Sequence, residues 1–207
     1  MNQLYLECYS GISGDMFVAS LLDLGASKEV LEEVLSTLPL TGFKTEITRV
    51  NKSGLDVCDF NVILDHDNHD HDMNYLYGEH THHEHHHHHE HRGLPEITKI
   101  IEASSFTEEI KTKSLQVFQN LAQAEAKVHG IPVEEIHFHE VGAIDCILDI
   151  VGTVWALDYL GIEQIASSAL HVGSGFVKCA HRPACPNAPY GRCGADERGL
   201  AMVSVYP

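Results

Sequence analysis

Basic and aromatic residues are scarce in this chain. Its 207 residues include 13 Lys and Arg against 30 Asp and Glu, which gives a formal charge of −17 at pH 7, and only 7% are aromatic. A surface this acidic repels polyanions, which argues against nucleic acids and anionic membranes as partners. The charge instead suits a protein that handles cations.

Long apolar runs and clustered cysteines are also lacking. No apolar stretch approaches the length of a membrane span, and the opening MNQLYLECYSG has neither the basic start nor the apolar middle of a signal peptide. The six cysteines are scattered and form no CxxC pair. Reduced thiols in a cytoplasmic protein fit this spacing better than a disulfide framework does.

Histidine, by contrast, is abundant and concentrated. Twelve of the 17 histidines lie within residues 66–91, in stretches such as DHDNHDHD and EHTHHEHHHHHEH, well inside the chain where no tag would sit. The segment has low complexity and no apolar face, so we expect a disordered loop. Imidazole suits nickel, copper and zinc, and the affinity order favours nickel and copper. The predicted ligands here are His66, His69, His71, His80, His82, His83, His85, His86, His87, His88, His89 and His91. The alternative is a solubilising, pH-sensitive linker with incidental metal affinity.

The hydrophobic pattern mixes strands and helices and predicts an α+β fold, with helices packed on a small mixed sheet. Strands are predicted at 4–10 and 165–177, a hairpin at 43–50 and 55–64 around the turn NKSG, and helices at about 15–24, 27–38, 107–129 and 142–161. Pro95 is placed as a first helical residue, and Ser105 with Glu108 is predicted to form a capping box. We divide the chain into an N-terminal α/β segment with a hairpin (1–64), the histidine-rich loop (65–93), a helical segment and final strand completing the same domain (94–180), and an irregular tail (181–207).

The stretch IHFHEVGAIDCILDI contains a second set of potential ligands. In an extended segment His137 and His139 point to the same side, so both imidazoles can reach one ion. Glu140 follows at the entry to a helix, on which Asp145 and Asp149 stand one turn apart. Two like charges at this spacing repel unless a cation or a donor lies between them. The alternative is a capped helix start with exposed carboxylates, since HxH alone is a weak motif.

The glycine turn in CYSGISGDMF leads from a strand into a helix. Its backbone N–H groups at Ser13 and Gly14 would favour a phosphate or carboxylate, although neither a Walker loop nor a dinucleotide fingerprint is present. Asp15, in the first turn, would cap the helix or hold a metal or water. A plain tight turn is an equal alternative. In HVGSGFVKCAH, Gly173, Gly175 and Lys178 offer a weaker phosphate site.

Taken in order, the segments YSGISGDMFVASLLDLG, AEAKVHG, HFHEVGAIDCILDIVG and VGSGFVKCAH resemble the LarC family of nickel insertion proteins. The resemblance implies a CTP-dependent metallase of the lyase class that puts Ni(II) into pyridinium-3,5-bisthiocarboxylic acid mononucleotide and so forms the nickel-pincer cofactor. It also implies nickel delivery by the histidine loop. From the residues themselves we expect tighter nickel binding at His137 and His139, together with Glu140, Asp145 and Asp149, and binding of the mononucleotide phosphate at the glycine turn. His139 and Asp15 are candidates for the catalytic base.

After VKCAH the chain departs from the family, which continues with a Pro-rich stretch and a second domain expected to bind CTP with Mg2+ or Mn2+. Reverse translation of the tail gives family-like text when read one base later, which indicates a frame change near His181. It is either the short product of programmed ribosomal frameshifting or a gene defect. We therefore expect an N-terminal part whose partners are the mononucleotide and either a C-terminal half or further copies. The rivals are a non-enzymatic nickel chaperone or buffer and, less strongly, a metal-dependent phosphatase.

Overall fold

The computed structural model describes residues 2–65, 92–138 and 141–170. Across these ranges, five α-helices pack with small two-stranded sheets, so the predicted α+β class is confirmed. The elements in chain order are β1 (Asn2–Leu6), α1 (Gly14–Asp23), α2 (Lys28–Leu35), β2 (Phe43–Lys52), β3 (Leu55–Leu64), β4 (Arg92–Gly93), α3 (Leu94–Glu102), α4 (Glu108–His129), a 3-10 turn (Val133–Glu135), β5 (His137–Phe138), α5 (Ile144–Tyr159) and β6 (Ile162–Ser167).

Helix α5 is the centre of the fold. It is apolar over most of its surface, and it contacts α1, α2, α4 and β6. Its side chains join a hydrophobic core to which α2, the hairpin, α3 and α4 also contribute, for example through Leu31, Phe60, Ile97 and Phe118. Truncating a core residue of this kind to Ala typically costs about 2–5 kcal/mol. The buried residues of α5 are Ile144, Ile147, Leu148, Val151, Gly152, Val154, Trp155 and Ala156.

The strands of the described ranges form three separate pairs and no single mixed sheet. β1 pairs with β6 in parallel, β2 with β3 antiparallel, and β4 with β5 antiparallel. The parallel pair continues one step further, because the N–H of Ser168 donates to the carbonyl of Leu6 at 2.9 Å. It therefore joins the first and last described elements and closes the fold.

The β2–β3 hairpin follows its turn sequence, as predicted. Ser53 and Gly54 have φ of 54° and 87°, and positive φ at both central residues is the signature of the tight turn that matches strand twist. The side-chain oxygen of Asn51 accepts from the N–H of Gly54 at 3.1 Å. The register then runs unbroken from Lys52 opposite Leu55 to Phe43 opposite Leu64.

The predicted capping box at the start of α4 is wrong. The N-cap residue is Thr107, whose hydroxyl accepts from the N–H of Ile110 at 3.4 Å. Ser105 is engaged elsewhere, because its hydroxyl lies 3.1 Å from that of Thr37. The other end of α4 is as expected, since Gly130 takes the left-handed conformation with φ of 67°.

Three further elements depart from their predicted bounds by three residues or more. β1 ends at Leu6 instead of residue 10, and α2 ends at Leu35 instead of 38, because the chain turns through hydrogen bonds such as Leu38 N–H to the Leu35 carbonyl. β6 begins at Ile162, three residues earlier than predicted, where it meets Asn2 of β1. In the described ranges no helix combines the length and apolar character that a membrane crossing requires.

Candidate functional site

Three aspartates from two packed helices lie near one another at the edge of the core. Asp15 lies in the first turn of α1, and Asp145 and Asp149 lie one turn apart on α5, against which α1 packs. Asp15 and Asp145 are each close enough to raise the pKa of Asp149 by charge repulsion. We call Asp15, Asp145 and Asp149 the acidic cluster.

Gly14 is what allows the two helices to approach here. A Cβ atom at this position would lie 2.5 Å from Oδ2 and 2.7 Å from Cβ of Asp149, far inside van der Waals contact. The N-terminus of α1 therefore lies directly against the Asp149 carboxyl, which accepts a hydrogen bond from the backbone N–H of Asp15. The glycine was predicted to approach an anion, and in the structure it approaches the protein's own carboxyl group.

Asp149 is largely buried, and its ionisation is suppressed. Burial, followed by the charges of Asp15 and Asp145, raises the pKa of its carboxyl to about 8, while the Asp15 N–H acts in the opposite direction. Its Oδ1 is buried and accepts no hydrogen bond from the part of the chain that the structure describes. A buried carboxyl oxygen without a donor is costly, and a bound cation or a donor group on a ligand would remove that cost.

The positions of the other two carboxylates have a structural explanation. Asp15 and Asp145 each occupy the first turn of a helix, where a negative charge is stabilised by the helix dipole. Oδ1 of Asp145 also lies 2.9 Å from the N–H of Cys146. Helix capping accounts for these two residues, but it does not account for the buried Asp149.

His137 lies in β5, which pairs with β4 so that His137 is opposite Gly93. Its side chain is exposed, whereas that of the next residue, Phe138, is buried and packs on Phe118 with ring centroids 6.2 Å apart. This alternation is the one that the sequence predicted for the motif. Residues 139 and 140 lie outside the described ranges, so the positions of His139 and Glu140 stay predictions.

The described residues do not by themselves form a metal site. Nowhere in the ranges 2–65, 92–138 and 141–170 do three His, Cys, Asp or Glu side chains lie close enough to hold one ion. His137, Asp145 and Asp149 are thus the only members of the predicted ligand set whose placement is described, and they are not gathered around one point. The twelve histidines of residues 66–91, and Gly173, Gly175 and Lys178, lie outside the described residues.

An open groove of about 440 Å³ runs between β1 and α1, beside the glycine turn. Its size would accept a small ligand. Glu7 and Asp23 are among the residues that line it, and no described lining residue is basic. The negative charge of its lining would therefore repel a phosphate. The groove gives no support to the predicted mononucleotide site at Ser13 and Gly14.

The sequence placed the members of the acidic cluster in two unrelated motifs. Asp15 belonged to the glycine turn, and Asp145 with Asp149 belonged to the histidine motif 130 residues later. Nothing in the local pattern links them, because their proximity arises from the packing of α1 on α5. The only advance signal was the repulsive spacing of Asp145 and Asp149.

Comparison with known proteins adds independent information. A family model described as "Nickel insertion protein" matches residues 4–189. A protein from Alkaliphilus metalliredigens, named pyridinium-3,5-bisthiocarboxylic acid mononucleotide nickel insertion protein, is 49% identical over 181 residues, which cover 87% of this chain and 42% of that protein. A protein of the same name from Geobacillus kaustophilus is 44% identical over 189 residues, covering 87% of this chain and 41% of its own length.

A third relative, from Dictyoglomus thermophilum, is named putative nickel insertion protein and is 40% identical over 182 residues. The chain spans about two fifths of the length of these curated relatives. No solved structure matches significantly.

Proposed function

The chain belongs to the nickel insertion protein family, and from that membership we propose that it delivers Ni(II) to pyridinium-3,5-bisthiocarboxylic acid mononucleotide and takes part in its insertion. The substrate is the one printed in the names of the Alkaliphilus and Geobacillus relatives. We propose the chain as the N-terminal part of a cytoplasmic, CTP-dependent metallase of the lyase class. Ni(II) is cargo in this reaction and ends in the product.

The observation that supports cation handling most directly is the buried carboxyl of Asp149. Its Oδ1 has no donor in the described structure, and two neighbouring carboxylates oppose its ionisation. A divalent cation beside it would favour the ionised form and supply the missing partner at once. A solvated helix surface gains nothing comparable from a cation, so this carboxyl favours a site over a capped helix start.

In the proposed route the histidines of residues 66–91 collect Ni(II), and His137 with His139 and Glu140 receives it. Imidazole is a borderline ligand that nickel accepts, and many alternative coordination sets suit capture and release. The thiocarboxylate sulfurs of the substrate then replace imidazoles as softer donors. Ser13 and Gly14, with Gly173, Gly175 and Lys178, are the proposed contacts of the mononucleotide phosphate.

Formation of the carbon–nickel bond requires that the ring C–H bond break. The electron pair of that bond passes to nickel, and the proton passes to a base. We propose His139 or Asp15 for this role, since both belong to motifs at the proposed site. We propose that CTP, with Mg2+ or Mn2+, binds in the part of the family's length that this chain does not span. The proposed partner is a C-terminal half of the same family or, alternatively, further copies of this chain.

A non-enzymatic nickel chaperone or buffer is the second candidate. The observation that favours it is that no three ligating side chains converge in the described ranges, while the dense imidazoles all lie within residues 66–91. A protein built only to store nickel needs that segment and no fixed site in the core. The two candidates therefore differ in where the essential residues lie.

Three variants of the 207-residue chain separate these candidates: deletion of 66–91, His137→Ala, and the control His129→Ala, which removes an exposed histidine at the end of α4. Each is mixed with Ni(II), the mononucleotide, CTP and the C-terminal portion of a relative, and the nickel-pincer product is followed by absorbance. Insertion predicts that His137→Ala lowers the rate at least tenfold, that the deletion slows it chiefly at low nickel, and that His129→Ala has no effect. A buffer predicts that His137→Ala changes nothing and that the deletion removes most nickel binding.

A further inference from the structure

We propose that the outer edge of β1, together with the groove between β1 and α1, is a docking surface for one extended strand. The strand belongs to the part of the family's length that this chain does not span. The choice of this occupant rests on the proposed function, in which the chain is one part of a longer metallase. What is new is the place where the two parts meet.

The parallel pair of β1 and β6 is an incomplete sheet. Parallel sheets normally have both faces covered, and a sheet of two strands is marginal by itself. No residue of β1 or β6 is fully buried. Within residues 2–65, 92–138 and 141–170, the other edge of β1 pairs with no strand. That edge presents backbone N–H and C=O groups to which a further strand can bond.

The groove of about 440 Å³ follows this edge. Successive side chains of a strand point to opposite faces, so a groove lined by all of residues 4–8 runs along the edge of the strand and not over one face. No described residue of β6 lines it, which places it on the outer edge. Its other wall is one side of α1, where Met16, Ser20 and Leu24 are spaced one turn apart. An extended segment lying here would bond to β1 and pack against α1.

The walls of the groove carry exposed apolar side chains. Tyr5, Met16 and Leu24 are each more than half exposed. Complete removal of a leucine or methionine side chain from water contributes about 1.5–3 kcal/mol. A strand with apolar side chains facing these residues would therefore gain binding energy in addition to its backbone hydrogen bonds, which is the usual basis of strand addition.

The hairpin is treated differently, because charged side chains occupy backbone groups of both its strands. Oδ2 of Asp23 accepts from the N–H of Cys58 at 2.9 Å, and Nζ of Lys28 donates to the carbonyl of Ile47 at 2.8 Å. Charged groups at strand edges discourage pairing with another chain. No side chain from the described ranges reaches the backbone of residues 2–6 in this way, so β1 is the strand that is left open to a partner.

A second copy of the chain fits this surface poorly. Each copy has a formal charge of −17, and the acidic Glu7 and Asp23 in the groove lining would approach their own counterparts across a two-fold axis. β1 has five residues, which is about 17 Å of strand. Addition of one strand of this length buries less than the roughly 1,200–2,000 Å² of a stable interface between separate proteins.

A strand of the same longer polypeptide does not need so large an interface. A covalent linkage supplies an effective concentration of about 1 mM, which makes a small contact sufficient. The match to this chain covers 42% and 41% of the Alkaliphilus and Geobacillus relatives, so more than half of each lies outside it and can supply the strand.

The test is an NMR titration of the 15N-labelled 207-residue chain. The probe is the unlabelled portion of the Alkaliphilus protein that lies beyond its match to this chain. Nickel, mononucleotide and CTP are left out, so that docking is measured apart from insertion. Leu24→Glu and Tyr5→Glu each place a charge in the groove, and Leu55→Glu, the matched control, places one on an exposed leucine at the hairpin turn. Urea unfolding of each variant verifies that its fold is retained.

We expect the amide resonances of residues 2–8 to shift as the probe is added. The Kd should rise about tenfold or more in Leu24→Glu and Tyr5→Glu, and it should stay within twofold of the wild type in Leu55→Glu. Leu24 lies outside the sheet at the end of α1, so its variant tests the groove even if Tyr5→Glu weakens β1 itself. Sedimentation of the chain alone should show a monomer.

Three results would overturn the inference. Shifts confined to another face, or equal weakening by all three variants, would place the contact elsewhere. A dimer of the chain alone that Leu24→Glu dissociates would assign the groove to a second copy. The third is the absence of any shift up to about 1 mM probe, the effective concentration that a short linker provides. Nickel insertion by the same mixture then judges the proposed function separately, because insertion without a response at β1 refutes only the docking surface.

Discussion

Replacing Asp149 by Asn is the sharpest test of the acidic cluster. The substitution keeps the shape that fits against Gly14 and removes the titrating group. In the folded protein the pKa of Asp149 is raised from 3.8 to about 8, mainly by burial. The folded state therefore holds a proton that the unfolded chain releases above pH 4. Stability from this group is complete below pH 4 and is lost as pH rises toward 8.

The magnitude follows from the same values. Each pH unit between the two pKa values reduces the wild-type free energy of unfolding by about 1.4 kcal/mol. At pH 7 the free energy of unfolding of the wild type is lower by about 4 kcal/mol for this reason. Asp149→Asn does not lose this stability, because its amide does not ionise. The variant is therefore expected to be more stable than the wild type at neutral pH without added metal, and nearly equal to it at pH 4.

Urea unfolding at pH 5, 6, 7 and 8 measures this difference. The single tryptophan, Trp155, is buried on the same helix and reports the transition by fluorescence. Asp158→Asn, an exposed carboxylate further along α5, is the matched control and should give a small, pH-independent change. If the stability difference between Asp149→Asn and the wild type stays constant from pH 5 to 8, Asp149 is already ionised in the folded protein and the reasoning is wrong.

Three further outcomes are expected. Gly14→Ala should lower the free energy of unfolding by about 2 kcal/mol or more, because its Cβ would overlap Asp149 at 2.5 Å, as measured by the same urea titration. Gly152→Ala, its counterpart on α5, meets its nearest neighbour at an ordinary 3.5 Å and should be neutral or stabilising by up to about 1 kcal/mol; destabilisation like that of Gly14→Ala would contradict the packing described. Phe138→Ala should cost about 3–5 kcal/mol and, through loss of the buried ring against Phe118, broaden the His137 amide resonance; an unchanged unfolding midpoint would refute this.

Local signals were sufficient for much of the fold. The hairpin register follows from NKSG, and the end of α4 follows from Gly130, because positive φ is easiest for glycine. The alternation of an exposed His137 with a buried Phe138 could also be predicted, since successive side chains of a strand face opposite sides. In each case the information lies within a few residues of the feature it determines.

Features that depend on residues far apart in the sequence could not be predicted from local patterns. Thr107 replaces Ser105 as the cap of α4 because Ser105 is held by Thr37, which lies 68 residues earlier. The meeting of Asp15 with Asp149 likewise depends on how α1 packs on α5. The hydrophobic pattern of one segment carries no information about which residues of another segment pack beside it. The acidic cluster is therefore visible only in the folded structure.

The pairing of β1 with β6 has a consequence for biosynthesis. Hydrogen bonds such as that from Cys8 N–H to the Ser168 hydroxyl span 160 residues of sequence. At translation rates of about 5–20 residues per second, the first strand leaves the ribosome roughly 10–30 s before the strand that completes it. During that interval the amino end of the nascent chain has no strand to pair with, so the fold closes only after residues 162–168 have emerged. A ribosome-arrested fragment ending before Ile162 should accordingly leave β1 open to proteolysis.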